Sequence, residues 1–286
     1  MGNLSVIQTQ NLVYKFTDAC KKQKGKSVTD IQCEVICESL LKLFPLATPQ
    51  AVQYELLRNG LFDPNEWSSL EKIVRDMEER GIWQSVNKEF GRLRALWKGP
   101  KVPIYIFPIT RASMNSREKP PTKNGVAYKD ALFLFLSADL SKDEIKALLA
   151  HEYNHVCRIN YLNLPPNEIS LLDSLIIEGL GEYAVKDLYG KKLLAPWIKL
   201  YSFDEALAIW RDHFVPSLKM KGVKNHQIFL YGNPKKRVPK WIGYHIGYQI
   251  IATYQKNHGP FVNEELYFKT SEEILAGSDF SLTSIK

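Results

Sequence analysis

Residues 141–155 read SKDEIKALLAHEYNH and predict a capped helix that carries two histidines and a glutamate. Ser141 and Glu144 have the spacing of a capping box, in which the serine hydroxyl accepts a backbone N–H and the glutamate reaches back. A helix that starts near residue 142 holds His151 in its third turn and stays regular through His155. Because positions four apart share a helical face, the two imidazoles can bind one metal ion.

The pentapeptide at 151–155, HEYNH, matches the H-E-x-x-H pattern of zinc metalloproteases. His151 and His155 are predicted to bind Zn²⁺ through neutral ring nitrogens. Bound zinc would lower the pKa of its water towards ~7 and polarise a scissile carbonyl. Glu152 is predicted to take a proton from that water and pass it to the leaving amine. The pattern therefore indicates metal-assisted amide hydrolysis.

A tetrahedral zinc site of this kind needs a third protein ligand beside an open water position. One known solution places a glycine and a third histidine shortly after the motif, but this chain has Arg158 and Tyr161 there. That solution is excluded, and a carboxylate from a later helix remains. The candidates are Glu168, Asp173, Glu178 and Glu182.

Glu178 is favoured because it lies in an apolar helical stretch, 169–188, where an unpaired carboxylate is costly to bury. Gly179 and Gly181 lower the helix propensity of this stretch. They indicate a close approach to another backbone, such as the helix that carries HEYNH. Glu182, one turn further, is predicted to accept the outer N–H of a ligand histidine, with a solvent-facing position as the alternative. Asp173 stays open as an alternative ligand.

A helix predicted after Pro239 supplies candidates for a donor to the oxyanion of the reaction. Tyr244 and Tyr248 share one face of it, with Gly247 allowing close approach, and His245 is the third candidate. Aromatic core packing is the alternative for each. Three further histidines lack metal-ligand spacing and are expected at the surface or in loops: His213, His226 and His258.

The motifs together resemble the glutamate-zincin (gluzincin) clan of metallopeptidases. HEYNH is followed by IIEGLGEY at 176–183, and GYHIGYQI at 243–250 is similar to the closing motif of an uncharacterised bacterial family of predicted Zn-dependent proteases. The resemblance covers roughly residues 100 to 270. It implies His151, His155 and Glu178 as zinc ligands and Glu152 as the base, and it implies no particular substrate.

The predicted fold is α+β and mainly helical, with a small sheet whose edge strand packs on the H-E-x-x-H helix, as in zincins. Helical spacing dominates residues 28–44 and 67–96, with a break near Gly81, while 102–109 and 125–137 read as strands and 114–124 as a loop. An edge strand can accept an extended peptide as a further strand, although a small core sheet is the alternative. The expected domains are a helical N-terminal region, 1–98, and a catalytic region, 99–286.

Composition is that of an ordinary globular protein, with 45% apolar residues and a net charge of +7. The four cysteines form no C-x-x-C pair and are expected as buried thiols. No secretory signal or membrane-spanning run is recognised, so a cytoplasmic protein without membrane insertion is expected. The basic stretch 219–240 contains no acidic residue and is interpreted as a solvated loop, with no nucleic acid as partner.

The expected partner is therefore a peptide or protein substrate, and the oligomeric state is left open. Three other functions remain compatible with the sequence. The chain could be a non-catalytic metalloprotease-like binding protein. It could be a nucleic-acid-binding regulator that uses its basic stretch. It could also be a metal hydrolase acting on an electrophile other than a peptide, because the same zinc chemistry suits several.

Overall fold

The structure is a computed structural model and describes residues 5–22, 25–111, 120–261 and 265–282. Helices dominate it, as the sequence predicts. Two π-helical turns interrupt them, at Cys33–Cys37 and at Trp210–Phe214. The α-helices are α1 (Gln10–Lys21), α2 (Val28–Gln32), α3 (Glu38–Leu40), α4 (Pro49–Arg58), α5 (Trp67–Glu79), α6 (Ile82–Trp97), α7 (Lys142–Leu162), α8 (Leu171–Tyr189), α9 (Phe203–Ile209), α10 (Gln227–Leu230), α11 (Ile242–His258), α12 (Glu265–Phe268) and α13 (Ser271–Ala276).

A three-stranded sheet has the order β1-β3-β2, with strands β1 (Ile104–Pro108), β2 (Lys123–Ala127) and β3 (Leu132–Leu136). β1 runs parallel to β3, whereas β2 is antiparallel to it. Every residue of β1 and β3 is buried, because both strands are continuous apolar runs. β2 is more exposed and lies at an edge. The predicted α+β, mainly helical fold with a small sheet is confirmed.

The chain divides into two compact units. The first comprises Met1–Arg94 and Lys101–Glu152, and it contains the sheet. The second comprises Ala95–Pro100 and Tyr153–Lys286, and it contains α8 and α11. The division falls inside α7, between the second and third residues of HEYNH. The domain boundary predicted at residues 98 and 99 stays a prediction.

Local sequence patterns account for the start of α4 and for the break between α5 and α6. Thr48 caps α4 by accepting the backbone N–H of Ala51, and Pro49 occupies the first turn. The predicted break between α5 and α6 occurs at Gly81, whose φ of +66° suits glycine. These features depend on residues close in sequence, so the pattern alone was sufficient.

Two expectations need correction. The predicted loop at 114–124 ends too late, because Lys123 and Asn124 already belong to β2; residues 112–119 lie outside the described part. His226 is in a turn, as expected, but it is fully buried rather than at the surface. Its ring bonds Ser174 Oγ through Nδ1 (2.7 Å) and the Met220 carbonyl through Nε2 (3.0 Å), which satisfies both nitrogens.

The cysteines behave as the sequence predicts. Cys20, Cys33, Cys37 and Cys157 are all buried free thiols. Burial raises the pKa of Cys157 to about 12, so this thiol stays protonated and unreactive. Within the described ranges, no helix has the length and apolar character needed to cross a membrane.

Candidate metal centre

The helix α7 presents HEYNH in the capped, regular context that the sequence predicts. Glu144 accepts the Ser141 backbone N–H at 2.9 Å, and Ser141 Oγ accepts the Glu144 backbone N–H at 3.2 Å, which completes the capping box. His151 is half-buried, whereas Glu152 and His155 are buried. The two imidazoles therefore stand one turn apart on a helix with a fixed start.

The helix α8 carries the favoured third ligand. Its own capping box pairs Ser170 with Asp173. Glu178 lies in the middle of the helix and is half-buried among apolar residues that are themselves buried. A carboxylate in such surroundings needs a partner, because desolvation penalises its charge.

Three candidate ligands come together at one point. The ligand atoms of His151, His155 and Glu178 all lie within 4.8 Å of one another. His155 Nε2 and Glu178 Oε2 are 3.3 Å apart. Tetrahedral zinc with bonds of about 2.0–2.1 Å separates its ligands by about 3.4 Å, so this spacing fits the ion. Two imidazoles and one carboxylate are also a donor set of catalytic zinc sites.

The competing carboxylates are engaged elsewhere. Glu168 is exposed and forms a salt bridge of 2.7 Å with Lys221. Asp173 accepts hydrogen bonds from Ser170 Oγ and from Ser271 Oγ, each at 2.6 Å. Neither belongs to the group of three, so the geometry favours Glu178.

Glycines bring α8 and α11 into contact. A Cβ on Gly179 would lie 2.5 Å from the carbonyl carbon of Gly247 and closer still to its oxygen. A Cβ on Gly247 would likewise overlap the carbonyl oxygen of Leu175. The predicted close approach of Gly179 to another backbone is therefore confirmed, and the partner is α11; the helix that carries HEYNH was one example of such a partner. Close approach at Gly247 is confirmed.

Tyr248 follows Gly247 on α11 and is the oxyanion candidate with an electrostatic link to α8. It is buried, and its ring centroid lies 6.5 Å from that of Tyr183. The pKa of Tyr248 is raised to about 12, mainly by burial and further by the charges of Tyr183 and Glu182. The phenol therefore stays an O–H donor at any physiological pH.

The other two candidates occupy different surroundings. Tyr244 belongs to an aromatic cluster with ring centroids 4.8–5.6 Å apart, whose other members are Trp197, Tyr231 and Trp241. His245 is fully buried, and burial lowers its pKa, so its ring is neutral. Its ring meets Tyr201 edge-on at 5.7 Å. The position of His245 suits the core-packing alternative, whereas Tyr244 packs in an aromatic cluster that is partly exposed.

Glu182 is buried and accepts the backbone N–H of Ala195. The solvent-facing alternative for this residue is therefore wrong. Its carboxylate anchors the segment that follows α8 and adds negative charge near Tyr248. Its predicted bond to a ligand histidine stays a prediction.

Glu152, the candidate base, lies against the edge strand. A Cβ on Gly125 of β2 would lie 2.5 Å from Cδ and 2.7 Å from Oε1 of Glu152. Both residues belong to the first compact unit. The predicted packing of an edge strand on the H-E-x-x-H helix therefore occurs at the carboxylate itself.

Arg158 and Tyr161 stand where one known zinc-site pattern has a glycine and a third histidine. Both have structural roles that the sequence did not reveal. Arg158 is fully buried, and its Nη1 donates to the carbonyls of Tyr267 and Lys269, both at 2.7 Å. Tyr161 donates to the Phe268 carbonyl at 2.7 Å. The signal available in the sequence was the position of Arg158, a charged residue on the buried side of α7. These bonds hold the second half of α7 to the end of α12 and to Lys269, the residue that follows it.

The basic stretch 219–240 forms turns and short helices, as expected of a loop region. Lys221 is paired with Glu168, and an isolated bridge between Asn233 and Val238 closes the most basic turn. Lys235, Lys236 and Arg237 are exposed within that turn. Its expected lack of a nucleic-acid partner stays a prediction.

Comparisons with known proteins agree with this site. A family model described as "Predicted Zn-dependent protease (DUF2268)" matches residues 82–276, which include all three candidate ligands. The uncharacterized protein YjaZ of Bacillus subtilis (strain 168) is 35% identical over 186 residues, covering 64% of this chain and 70% of that relative. The uncharacterized protein YjfC of the same organism is 26% identical over 128 residues, or 42% of each chain. No solved structure gives a significant match.

Proposed function

The chain belongs to the Predicted Zn-dependent protease (DUF2268) family, and from that premise we propose that it is a zinc peptidase that hydrolyses peptide bonds. The observation that carries the proposal is the group formed by His151, His155 and Glu178, whose ligand atoms lie within 4.8 Å of one another. Glu152 follows the first of them in the chain. The proposal thus names a metal site and a base beside it.

Two imidazoles and one carboxylate would hold the metal and leave one coordination position open. When bound, zinc supplies a Lewis acid that polarises a carbonyl and lowers the pKa of water. The charge of Glu178 offsets part of the ion's charge, while its apolar surroundings limit the access of bulk water.

Glu152 would act as the general base and then as the proton donor to the leaving amine. Its carboxylate is buried against β2, so a proton held there is shielded from bulk water. The strand beside it supports a peptide as the substrate. Among the described residues, β2 pairs only with β3, so its other edge can add an extended chain as a further strand.

Tyr248 is the oxyanion donor that the surroundings favour. It keeps its proton, because burial and the nearby Glu182 carboxylate raise its pKa to about 12. Tyr244 is held in the aromatic cluster, and His245 is fully enclosed in the core. Glu182 accepts the backbone N–H of Ala195, and this bond holds the carboxylate whose charge raises the pKa of Tyr248. A phenol that donates only when charge develops on the substrate lowers the barrier selectively.

A digest of a peptide library, read by mass spectrometry, tests this function. The purified chain should cleave peptides, lose activity after chelation and regain it when one equivalent of zinc is added. His155→Ala should stay inactive with zinc, whereas His213→Gln, outside the group of three, should match the wild type. Cleavage that survives complete metal removal would show that the proposal is wrong.

A further inference from the structure

Gly125 lies in the middle of β2, a position where glycine is unfavourable. Glycine weakens a strand interior, since it loses more conformational freedom and packs no side chain. Its backbone does not need glycine, because its φ lies outside the left-handed region where other glycines of the chain occur. Its pairing with Leu134 of β3 is regular. The reason for glycine here is therefore space and not backbone conformation.

The space beside Gly125 is filled by the Glu152 side chain. A Cβ at residue 125 would overlap Glu152 Cγ most closely, and it would lie 2.5 Å from Cδ and 2.7 Å from Oε1. Real Cβ atoms do not come this close to other heavy atoms, so one partner must move. The effect of adding a methyl group at residue 125 therefore depends on whether β2 or the Glu152 side chain moves.

The strand is the less movable partner. β2 is paired with β3 along all five of its residues. Asn124, next to Gly125, donates from Nδ2 to the Asn59 carbonyl at 2.9 Å. The Glu152 side chain, in contrast, can turn about its Cα–Cβ bond, which moves Cγ and the carboxylate together. A methyl group at residue 125 would therefore turn the carboxylate away and leave the strand where it is.

We propose that Gly125 is a positioning residue for the proposed reaction: its missing side chain leaves the space in which the Glu152 carboxylate lies as general base. This inference rests on the proposed peptidase function. It adds a requirement beyond the three candidate metal ligands, namely a residue without a side chain on the edge strand. Gly125 would act through the Glu152 side chain and not on the substrate itself.

The test is Gly125→Ala, compared with Gly91→Ala in α6, where a Cβ would meet nothing within 4 Å. Gly125→Ala should lower kcat by about 100-fold, which is the scale expected when a general base is misplaced. KM should stay within about twofold, and the variant should still bind one zinc, because the metal ligands are intact. Gly91→Ala should keep the wild-type kcat. A Gly125→Ala enzyme with wild-type kcat would overturn the proposal.

A second readout needs no activity and uses metal-free protein. A crystal structure of metal-free Gly125→Ala should show the Glu152 carboxylate rotated away from β2, with the strand unmoved. Gly125→Ala should also lower Tm in the wild-type background but leave it within about 1 °C in a Glu152→Ala background, where no carboxylate can clash. Equal losses of Tm in both backgrounds, or a shifted strand with an unmoved carboxylate, would contradict the proposal, even if the variant is too unstable to assay.

The two claims fail in different ways. If Glu152→Gln keeps full activity, the proposed base is wrong, and the kcat of Gly125→Ala loses its meaning. The dependence of the Tm loss on Glu152 then still tests whether the glycine makes room for that side chain. If Glu152→Gln is inactive and Gly125→Ala is fully active, only the role of Gly125 is wrong.

Discussion

Two glycine contacts, one in each compact unit, differ in what lies against the glycine. In the first unit, Gly125 faces the end of the Glu152 side chain. In the second unit, Gly179 of α8 faces the backbone of Gly247 on α11. A side chain can turn away from an added methyl group, whereas a helix backbone can only be pushed apart. We therefore expect the first glycine to protect the proposed chemistry and the second to protect the fold.

The second contact also bears on the site. Glu178 and Tyr248 are the chain neighbours of the two glycines in contact, so the same close approach fixes the helix of a candidate ligand and the helix of the candidate oxyanion donor. Small residues allow two helix axes to come nearer than the usual 8–10 Å. The spacing of these helices is thus set by residues that perform no chemistry.

Gly179→Ala should have the largest effect on stability. The added Cβ overlaps the Gly247 carbonyl, and separating α8 from α11 should cost about 3 kcal/mol, the upper range for overpacking a core. This loss outweighs the gain of up to about 1 kcal/mol in helix propensity. Urea unfolding measures it. A variant as stable as the wild type would show that this contact does not limit the fold.

Glu178→Gln should leave the fold intact and weaken zinc binding. The variant keeps the size of the side chain but loses the charge of the ligand, so the affinity should fall by more than about 100-fold, beyond the loss typical of residues that only support a ligand. Competition with a zinc-binding dye measures it. Glu168→Gln is the matched control, because its exposed carboxylate pairs with Lys221 and should leave the zinc affinity unchanged. Equal affinities for both variants would exclude Glu178 as a ligand.

Gly99→Ala tests whether the loss of kcat in Gly125→Ala is specific to the base, because Gly99 also faces side chains but not Glu152. A Cβ here would overlap the Tyr153 hydroxyl, which donates to the Pro100 carbonyl, and would lie 2.5 Å from Cys157 Sγ. The Tyr153 ring, 2.9 Å from that Cβ, stacks on Trp97. These groups are enclosed, so the cost should be about 2 kcal/mol of unfolding free energy. The kcat per folded molecule should fall far less than in Gly125→Ala. If both variants lose kcat equally, the special role of Gly125 is contradicted.

Gly91→Ala should have the smallest effect and the opposite sign. This residue lies in α6 with open space where a Cβ would point. Alanine is the better helix former, so the variant should gain about 0.5–1 kcal/mol of unfolding free energy. Chemical denaturation of the full chain measures it. A loss of stability would mean that the glycine contacts of this chain cannot be ranked by the space around them.

The sequence predicted the parts of this site that depend on neighbours in the chain. The box of Ser141 and Glu144 starts α7, the spacing of His151 and His155 puts both rings on one face, and the apolar run around Glu178 predicts a buried helix. Each feature follows from helical periodicity and the energetics of capping. The choice of Glu178 over other carboxylates also agrees with the group of three.

Features that depend on long-range packing could not be read in this way. Gly179 was expected to approach another backbone, but which helix lies opposite a glycine is decided by the tertiary fold. His226 was expected at the surface, yet a partner 52 residues away and a nearby carbonyl satisfy its ring inside the core. Gly125 drew attention only as the start of a strand, because nothing near it in sequence indicates that Glu152 fills the space beside it.

The central claim is that His151, His155 and Glu178 hold zinc while Glu152 moves the proton. Its most direct test is to measure the zinc content and the turnover of Glu152→Gln in one preparation. We expect one zinc per chain, as in the wild type, and a kcat lowered at least about 100-fold, because the amide cannot accept the proton. Full turnover by zinc-loaded Glu152→Gln would contradict the account.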